Sequence, residues 1–142
     1  MIGIIITGHG QFASGIYSSL TMIAGQQEDV EVVTFADAAS EEDLKRAMLS
    51  AIDKLAHCDA IVIMCDLLGG SPFKIAAMLS LTNQKLHIMY GVNLGMLLEF
   101  SLTKSNVDNI ENALDKLSET GKKNIGKYVF KPIEEEHIED GI

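Results

Sequence analysis

The fold is indicated most clearly by the stretch Ala60-Ile61-Val62-Ile63-Met64-Cys65-Asp66-Leu67-Leu68-Gly69-Gly70-Ser71-Pro72. It consists of six apolar residues, a loop that contains two glycines, and a serine–proline pair. The apolar run does not alternate with polar residues, which is typical of a strand covered on both faces of a parallel sheet. Ser71 and Pro72 are typical of a helix start, with Ser71 as the N-cap and Pro72 in the first turn. The stretch therefore predicts a central strand, a loop and a helix.

Three further runs have the composition of strands: Ile2–Thr7, Val30–Phe35 and Leu86–Tyr90. The first of them is apolar nearly throughout, like Ala60–Cys65, whereas the other two contain polar residues. Because a strand that is apolar on both sides must be covered on both faces, these two apolar runs are predicted to be the central strands of the sheet.

Apolar residues at helical spacing fill the segments between these strands. The clearest helix is predicted over about residues 41–57 and begins with a form of the capping box, Ser40 and Asp43. The predicted caps of two later helices are Asn93 and Asp108, and the first and last helices are predicted to end near Gly25 and Gly121.

Strand and helix alternate four times, which predicts an α/β fold with right-handed crossovers. The expected architecture is an open, doubly wound, mostly parallel sheet with the strand order 2-1-3-4. In that order the first and third strands are neighbours, and the crevice at their carboxyl ends is the expected ligand site. A further strand-like stretch, Lys127–Lys131, lies outside the alternation and is stopped by Pro132.

The length of 142 residues indicates one domain. We expect the domain to cover residues 1–131 and an acidic tail to cover residues 132–142. The formal net charge of −9 argues against nucleic-acid binding, which depends on basic residues, and favours a basic protein partner. Apolar runs stay well below the roughly 18 residues of a membrane span, and the first residues lack a signal-peptide pattern, so a cytoplasmic location is expected.

The spacing of the two cysteines, Cys58 and Cys65, fits neither a C-x-x-C motif nor a disulfide framework, and we expect both thiols to be buried. A zinc site needs three or four converging ligands, which the sequence does not offer near these residues, so neither a metal nor a cofactor is predicted. Three histidines, His57, His87 and His137, are expected to be structural or solvated.

The remaining histidine, His9, lies between Gly8 and Gly10 where the first strand ends, and Asp66 follows the third strand directly. Because neighbouring parallel strands end at the same edge of the sheet, the imidazole and the carboxylate are predicted to lie within hydrogen-bonding reach. A carboxylate that orients an imidazole is one half of a catalytic constellation. His9 and Asp66 are therefore the candidate catalytic residues.

Glycines and a hydroxyl surround this pair in sequence, and they predict a pocket for a phosphoryl group on His9. Two helices are expected to begin near His9, and helix N-termini present free N–H groups to anions. The candidate pocket residues are Gly10, Gly69, Gly70 and Ser71. A P-loop, a Rossmann fingerprint and a Gly-x-Ser-x-Gly elbow are each incomplete in this sequence, which argues against nucleotide catalysis and serine hydrolysis.

At these residues the chain resembles the mannose-family EIIA component of the bacterial phosphoenolpyruvate-dependent sugar phosphotransferase system. The resemblance spans about residues 2–131 and is carried by Gly8-His9-Gly10, by Asp66–Phe73 and by Gly91-Val92-Asn93-Leu94. It implies a phosphotransferase that forms a covalent phosphohistidine on His9, with Asp66 holding the ring and Ser71 in the phosphoryl pocket. Lys74 departs from the small polar residue common in the family and is expected to alter partner contacts.

The resemblance also implies the partners. The phosphocarrier HPr would supply the phosphoryl group, a IIB component would receive it, and the membrane would be reached only through the IIC/IID transporter. Leu67, Leu68 and Phe73 are the candidate docking residues for these partners. A homodimer is expected, in which Lys127–Lys131 pairs with the sheet of a second copy, because an isolated strand of this composition would expose unpaired backbone and aromatic surface.

Two alternatives remain open on the sequence alone. The phosphocarrier subunit of dihydroxyacetone kinase has the same fold and a histidine acceptor, although the intact Gly69-Gly70-Ser71-Pro72 run favours the sugar system. A non-catalytic regulatory module could bind an anion in the same crevice without covalent transfer. The residues from Gly8 to Gly15 resemble the N-acetylgalactosamine branch, but the chain does not contain the components that select a sugar.

Overall fold

The computed structural model describes residues 1–132 as a four-stranded parallel sheet with helices on both faces. The strands lie in the order β2-β1-β3-β4, so the predicted α/β class and strand order are confirmed. The elements are β1 Ile2–His9, α1 Phe12–Ala24, β2 Val30–Phe35, α2 Glu41–Lys54, β3 Ala60–Cys65, α3 Ser71–Ser80, β4 Leu86–Met89, α4 Leu94–Thr103, a 3₁₀ turn Lys104–Asn106 and α5 Ile110–Lys123.

The central strands β1 and β3 are buried on both faces, as their uninterrupted apolar sequences predict. Ile5 and Ile63 pack into a cluster with α2 and α3 on one face. Ile4, Ile6 and Met64 pack into a second cluster with α1, α4 and α5 on the other. Successive side chains of a strand point to opposite faces, so a strand between two helical layers needs apolar residues at every position.

The pairing register brings the ends of β1 and β3 to the same edge of the sheet. Thr7 of β1 lies beside Cys65, the last residue of β3. The strand β1 continues through His9, two residues beyond the predicted end at Thr7, and pairs His9 with Phe35 of β2. His9 is therefore the last residue of a strand and does not lie in a loop, which restricts its backbone more than the sequence indicated.

Two predicted helix caps are wrong by one residue. The N-cap of α3 is Gly70, whose carbonyl accepts the N–H of Lys74 at 2.9 Å, and Ser71 is the first helical residue. The cap of α5 is Asn109 instead of Asp108, and its side chain accepts the N–H of Asn112. In both cases the residue next to the predicted cap has the extended backbone that an N-cap requires.

The other caps agree with the sequence. Ser40 and Asp43 form the capping box of α2, with both reciprocal hydrogen bonds at 3.1 Å. Asn93 caps α4 by accepting the N–H of Met96. Two helix ends differ slightly from the predicted ones. The helix α2 stops at Lys54 and not near residue 57, and α5 continues to Lys123, past the predicted end near Gly121. None of the helices within residues 1–132 combines the length and the apolar character needed to cross a membrane.

The predicted strand Lys127–Lys131 does not form in the single chain. Within residues 1–132 no strand pairs with this segment, and Tyr128, Val129 and Phe130 are 83%, 61% and 72% exposed. A strand depends on hydrogen bonds to a neighbour, which the monomer does not provide here. Its pairing with a second copy stays a prediction, and the acidic tail from Glu134 onward lies outside the described residues.

Candidate functional site

The structure brings His9 and Asp66 into direct contact at the carboxyl edge of the sheet. The ring nitrogen Nδ1 of His9 lies 2.8 Å from Oδ2 of Asp66, and the backbone N–H of His9 donates to the same oxygen at 2.9 Å. The other oxygen, Oδ1, accepts the N–H of Leu67 at 2.8 Å. The His9 side chain is 45% exposed and that of Asp66 is 11% exposed. A fixed, shielded carboxylate therefore holds an imidazole that solvent and partners can reach.

The absence of a side chain at Gly8 makes this contact possible. A Cβ atom at Gly8 would lie 2.9 Å from the carboxyl carbon of Asp66 and 2.7 Å from the ring of Phe12. Both distances are shorter than real Cβ contacts allow, so any larger residue would displace both side chains. Gly8 is thus required because the Asp66 side chain lies across the end of β1.

The charge of Asp66 determines which nitrogen of His9 is free. Partial burial by itself raises the pKa of Asp66, but the hydrogen bonds from the His9 backbone, the His9 ring and Leu67 outweigh it and bring the pKa below its ordinary value. An ionised carboxylate only accepts hydrogen bonds, so Nδ1 of His9 carries the proton and donates it. Within residues 1–132 no hydrogen bond engages Nε2, which leaves its lone pair available for chemistry.

The start of α3 lies directly against this free nitrogen. A Cβ atom placed on Gly70 would lie 2.5 Å from Cε1 and 3.1 Å from Nε2 of His9, so the ring approaches this backbone as only glycine allows. Gly10 and Gly69 have positive φ angles of 55° and 86°. Among residues 1–132 no side chain caps the N-terminus of α3, whose free N–H groups favour an anion.

Ser71, the predicted pocket hydroxyl, makes a contact that the sequence did not indicate. Its Oγ donates to Oε2 of Glu41 at 2.8 Å, and Nζ of Lys74 lies 3.4 Å from Oε1 of the same carboxylate. The hydrogen bond from Ser71, followed by the interactions with Lys74, lowers the pKa of Glu41. Glu41 begins α2, shortly after the carboxyl end of β2. Its predicted position at the same edge of the sheet as His9 was the one feature of the sequence that could have indicated a role for Glu41 at the site.

The candidate docking residues differ in their exposure. Leu67 and Leu68 are 58% and 61% exposed, and they follow Asp66 directly at the edge of the site. Phe73 is half-buried, packs against the core cluster beside α2 and α3, and meets the ring of Tyr90 edge-on at 6.0 Å. Part of the Phe73 side chain therefore serves packing, whereas the two leucines have large apolar surfaces open to contact.

The expected burial of the two cysteines is confirmed. Burial, with a smaller effect of the nearby Asp66 carboxylate, raises the pKa of Cys65 to about 12. The protonated thiol is a poor nucleophile and a poor metal ligand. Although Cys65 is next to Asp66 in sequence, it therefore adds no chemistry to the site.

A second histidine–aspartate pair lies at the opposite, amino edge of the sheet. Nε2 of His57 lies 2.7 Å from Oδ1 of Asp29, and these two residues with Cys58 place three possible metal-ligating atoms within 4.8 Å of one another. Burial and the Asp29 charge raise the pKa of Cys58, which disfavours the thiolate that binds metals. Unlike His9, neither Asp29 nor His57 has a glycine next to it in the sequence, and His57 follows the end of α2 instead of preceding the start of a helix.

Comparison with known proteins assigns the chain to a family. A family model described as the PTS system fructose IIA component, EIIA-man, matches residues 3–118. The PTS system mannose-specific EIIAB component of Escherichia coli K12 is 26% identical over 133 residues, which make up 94% of this chain and 41% of that protein. The chain thus spans less than half the length of this relative.

Two further relatives are similar over most of their own length. The PTS system fructose-specific EIIA component of Bacillus subtilis 168 is 30% identical over 99 residues, which cover 70% of this chain and 68% of that protein. The crystal structure of phosphotransferase system component EIIA from Streptococcus agalactiae matches with a TM-score of 0.82 at 35% identity, covering 89% of this chain and 97% of that one.

These relatives agree with the resemblance read from the His9 and Asp66 motifs, and the sheet and helices match a solved structure of the same kind. The N-acetylgalactosamine branch is not confirmed. The chain belongs to the EIIA-man family of phosphotransferase-system IIA components.

Proposed function

We propose that the chain is a phosphotransferase component of a sugar phosphotransferase system that carries a phosphoryl group on His9. HPr supplies the phosphoryl group, and a IIB component receives it for sugar uptake and phosphorylation. The observation that carries this proposal is the contact between the exposed His9 ring and the shielded Asp66 carboxylate, which leaves Nε2 free. Membership of the EIIA-man family and the names of the relatives support the sugar system.

The transfer needs little covalent chemistry from other groups. The Nε2 lone pair attacks phosphorus in line with the bond to the donor atom, and that bond breaks as the new N–P bond forms. The ring, with its proton held on Nδ1, becomes positively charged, and the Asp66 carboxylate stabilises this charge. The transfer to IIB reverses these steps with a new acceptor, so the carrier is regenerated.

The phosphoryl oxygens require screening, which the backbone around the site supplies. The free N–H groups at the start of α3 and the small residues Gly10, Gly69 and Gly70 give the anion access to backbone donors. The Ser71 hydroxyl is a further donor once it turns from Glu41. No metal ion or cofactor is needed for this proposal, since transfer between two side chains requires only positioning and charge stabilisation.

Protein partners fit the surface around His9. Leu67 and Leu68 present exposed apolar side chains beside Asp66, and a docking protein would cover them and exclude water from the transfer. In this proposal the chain acts in the cytoplasm and reaches the membrane only through its transporter partners. A dihydroxyacetone kinase subunit would use the same site but hand the phosphoryl group to a different acceptor, and a regulatory anion-binding module would form no N–P bond.

We also propose that two copies form a homodimer through Lys127–Lys131. This segment exposes Tyr128, Val129 and Phe130, a cluster of apolar side chains that soluble proteins usually cover. Within residues 1–132, β2 and β4 are the edge strands of the sheet and each has one unpaired edge. An exchange of the segment between two copies would pair one such edge and bury the aromatic side chains with a closed two-fold arrangement.

Replacement of His9 by alanine is expected to abolish phosphoryl uptake from phosphoenolpyruvate, enzyme I and HPr. Mass spectrometry of the intact chain measures the uptake as one added phosphoryl group. The matched control is His57→Ala, because His57 is similarly exposed and also bonded to an aspartate, at 51% exposure and 2.7 Å, but lies at the other edge of the sheet. Phosphorylation that persists in His9→Ala, or that is lost in His57→Ala, would contradict the assignment.

Replacement of Asp66 by asparagine is expected to slow transfer by about a hundredfold or more, the size typical for the loss of one oriented electrostatic partner. The amide keeps a hydrogen-bonding group near His9 but does not stabilise positive charge on the ring. Rapid-quench kinetics with phospho-HPr measures the rate, and circular dichroism checks the fold. Asp29→Asn, which alters the other histidine–aspartate pair, is the control, and a rate for Asp66→Asn equal to that of the control would exclude Asp66 from the mechanism.

The dimer is tested by shortening the chain and by a single substitution. Analytical ultracentrifugation at micromolar concentration is expected to give a dimer for the full chain and a monomer for a version that ends at Lys123. Val129→Pro keeps the full length but removes a backbone donor and is expected to weaken the dimer. A monomeric full chain, or an unchanged dimer in both variants, would reject the exchange.

A further inference from the structure

Glu41 connects the starts of two helices next to His9. Its carboxylate accepts the Ser71 hydroxyl at 2.8 Å on one oxygen and lies 3.4 Å from the Lys74 ammonium on the other. Ser71 and Lys74 both belong to the first turns of α3, whereas Glu41 is the first residue of α2. The Glu41 side chain is 46% exposed, so the contact lies at the surface of the crevice.

Ser71, which donates to Glu41, is the next residue after Gly70, whose backbone touches the His9 ring. The backbone at Gly70 touches the ring near Cε1 and Nε2, and Ser71 follows it as the first residue of α3. The donors at this helix start are the Ser71 hydroxyl, free backbone N–H groups and the Lys74 ammonium. Pro72 contributes no N–H group, which makes the Ser71 hydroxyl more important for binding an anion.

A phosphoryl group on Nε2 would lie beside Gly70, next to the Ser71 hydroxyl that the Glu41 carboxylate already accepts, so the two anions would compete for donors at this helix start. A phosphorylated side chain carries between one and two negative charges, about −1.5 to −2 near neutral pH. The hydrogen bonds from Ser71 and Lys74 and the charge of Lys74 lower the pKa of Glu41, so its carboxylate is ionised near neutral pH. Glu41 competes for the Ser71 hydroxyl, neutralises Lys74 and repels the phosphoryl charge.

We propose that Glu41 is a positioning residue that acts through Ser71 and Lys74 to lower the stability of phosphorylated His9 and so favour transfer of the phosphoryl group to the next acceptor. This inference rests on the proposed carrier function of His9. Lys74 has the opposite effect, since its ammonium attracts the phosphoryl group and offsets Glu41. The pair thus sets the balance between accepting a phosphoryl group and giving it up.

The test measures the equilibrium constant for phosphoryl exchange between phospho-HPr and the full chain. Glu41→Gln keeps the size of the side chain and an oxygen for Ser71 but removes the charge. It is expected to shift the equilibrium toward the phosphorylated chain by about three- to tenfold, the size expected for removing one charge near an exposed anion. Lys74→Met removes the opposite charge and is expected to shift the equilibrium toward phospho-HPr.

Glu42→Gln is the matched control. Glu42 is exposed in the same first turn of α2 and undergoes the same loss of charge, but within the part of the chain that the structure describes it makes no hydrogen bond to Ser71 or Lys74. Its shift is expected to be clearly smaller than that of Glu41→Gln. A purely structural role of Glu41 would change the melting temperature, measured in parallel, without shifting the exchange in opposite directions in the Glu41 and Lys74 variants.

Three results would overturn the inference: an unchanged equilibrium in Glu41→Gln, a shift toward phospho-HPr in that variant, or an equal shift in Glu42→Gln. These results are distinct from a failure of the proposed function itself. In that case the unaltered chain would take up no phosphoryl group from phospho-HPr, and the carrier role would fall together with the inference.

Discussion

The burial of β1 and β3 on both faces is the constraint on which the rest of the structure depends. With helices above and below, positions along both strands favour apolar side chains. Thr7 is the one buried polar residue in them among the described residues, and its hydroxyl donates to the carbonyl of Val33. Reactive side chains are therefore confined to the strand ends. Because the two strands are parallel neighbours, their carboxyl ends meet, and His9 and Asp66 lie close enough for a hydrogen bond of 2.8 Å.

In the proposed carrier, the crevice contains groups with opposite effects on a phosphoryl group. The free Nε2 atom of His9 and the N–H groups at the start of α3 favour the anion, whereas the proposed role of Glu41 is to oppose it. A carrier must accept a phosphoryl group readily and also release it, so an environment that bound the anion too well would stop the transfer. An ionised carboxylate that competes for the Ser71 hydroxyl is a simple physical means of limiting this stability.

Much of the fold follows from the sequence, because the apolar runs and helical spacings report burial directly. The uninterrupted run Ala60–Cys65 predicts a strand with the bounds that the structure has. The capping box at Ser40 is likewise local, since both of its hydrogen bonds connect residues three apart. The approach of His9 and Asp66 is predictable for a different reason: the strand order and parallel direction together fix which strand ends meet.

What the sequence does not predict depends on contacts between distant residues. The hydrogen bond from Ser71 to Glu41 joins residues that are 30 apart in the sequence. The residues around Ser71 are equally typical of a helix cap, so the local pattern does not indicate that Ser71 bonds to Glu41. The extension of β1 to His9 depends on pairing with Phe35. The glycines on either side of His9 are more typical of a turn than of a strand, so the local sequence does not predict this extension. The proposed pairing of Lys127–Lys131 involves a second copy of the chain, so a single chain cannot show it.

In the proposed carrier, His9 holds the phosphoryl group on Nε2 while Asp66 holds the proton on Nδ1. Nuclear magnetic resonance of the chain labelled with ¹⁵N-histidine, after phosphorylation by phosphoenolpyruvate, enzyme I and HPr, measures this directly. The geometry predicts phosphorus coupling to Nε2 of His9 and a proton on Nδ1. Phosphorus coupling to Nδ1, or to any histidine other than His9, would contradict it.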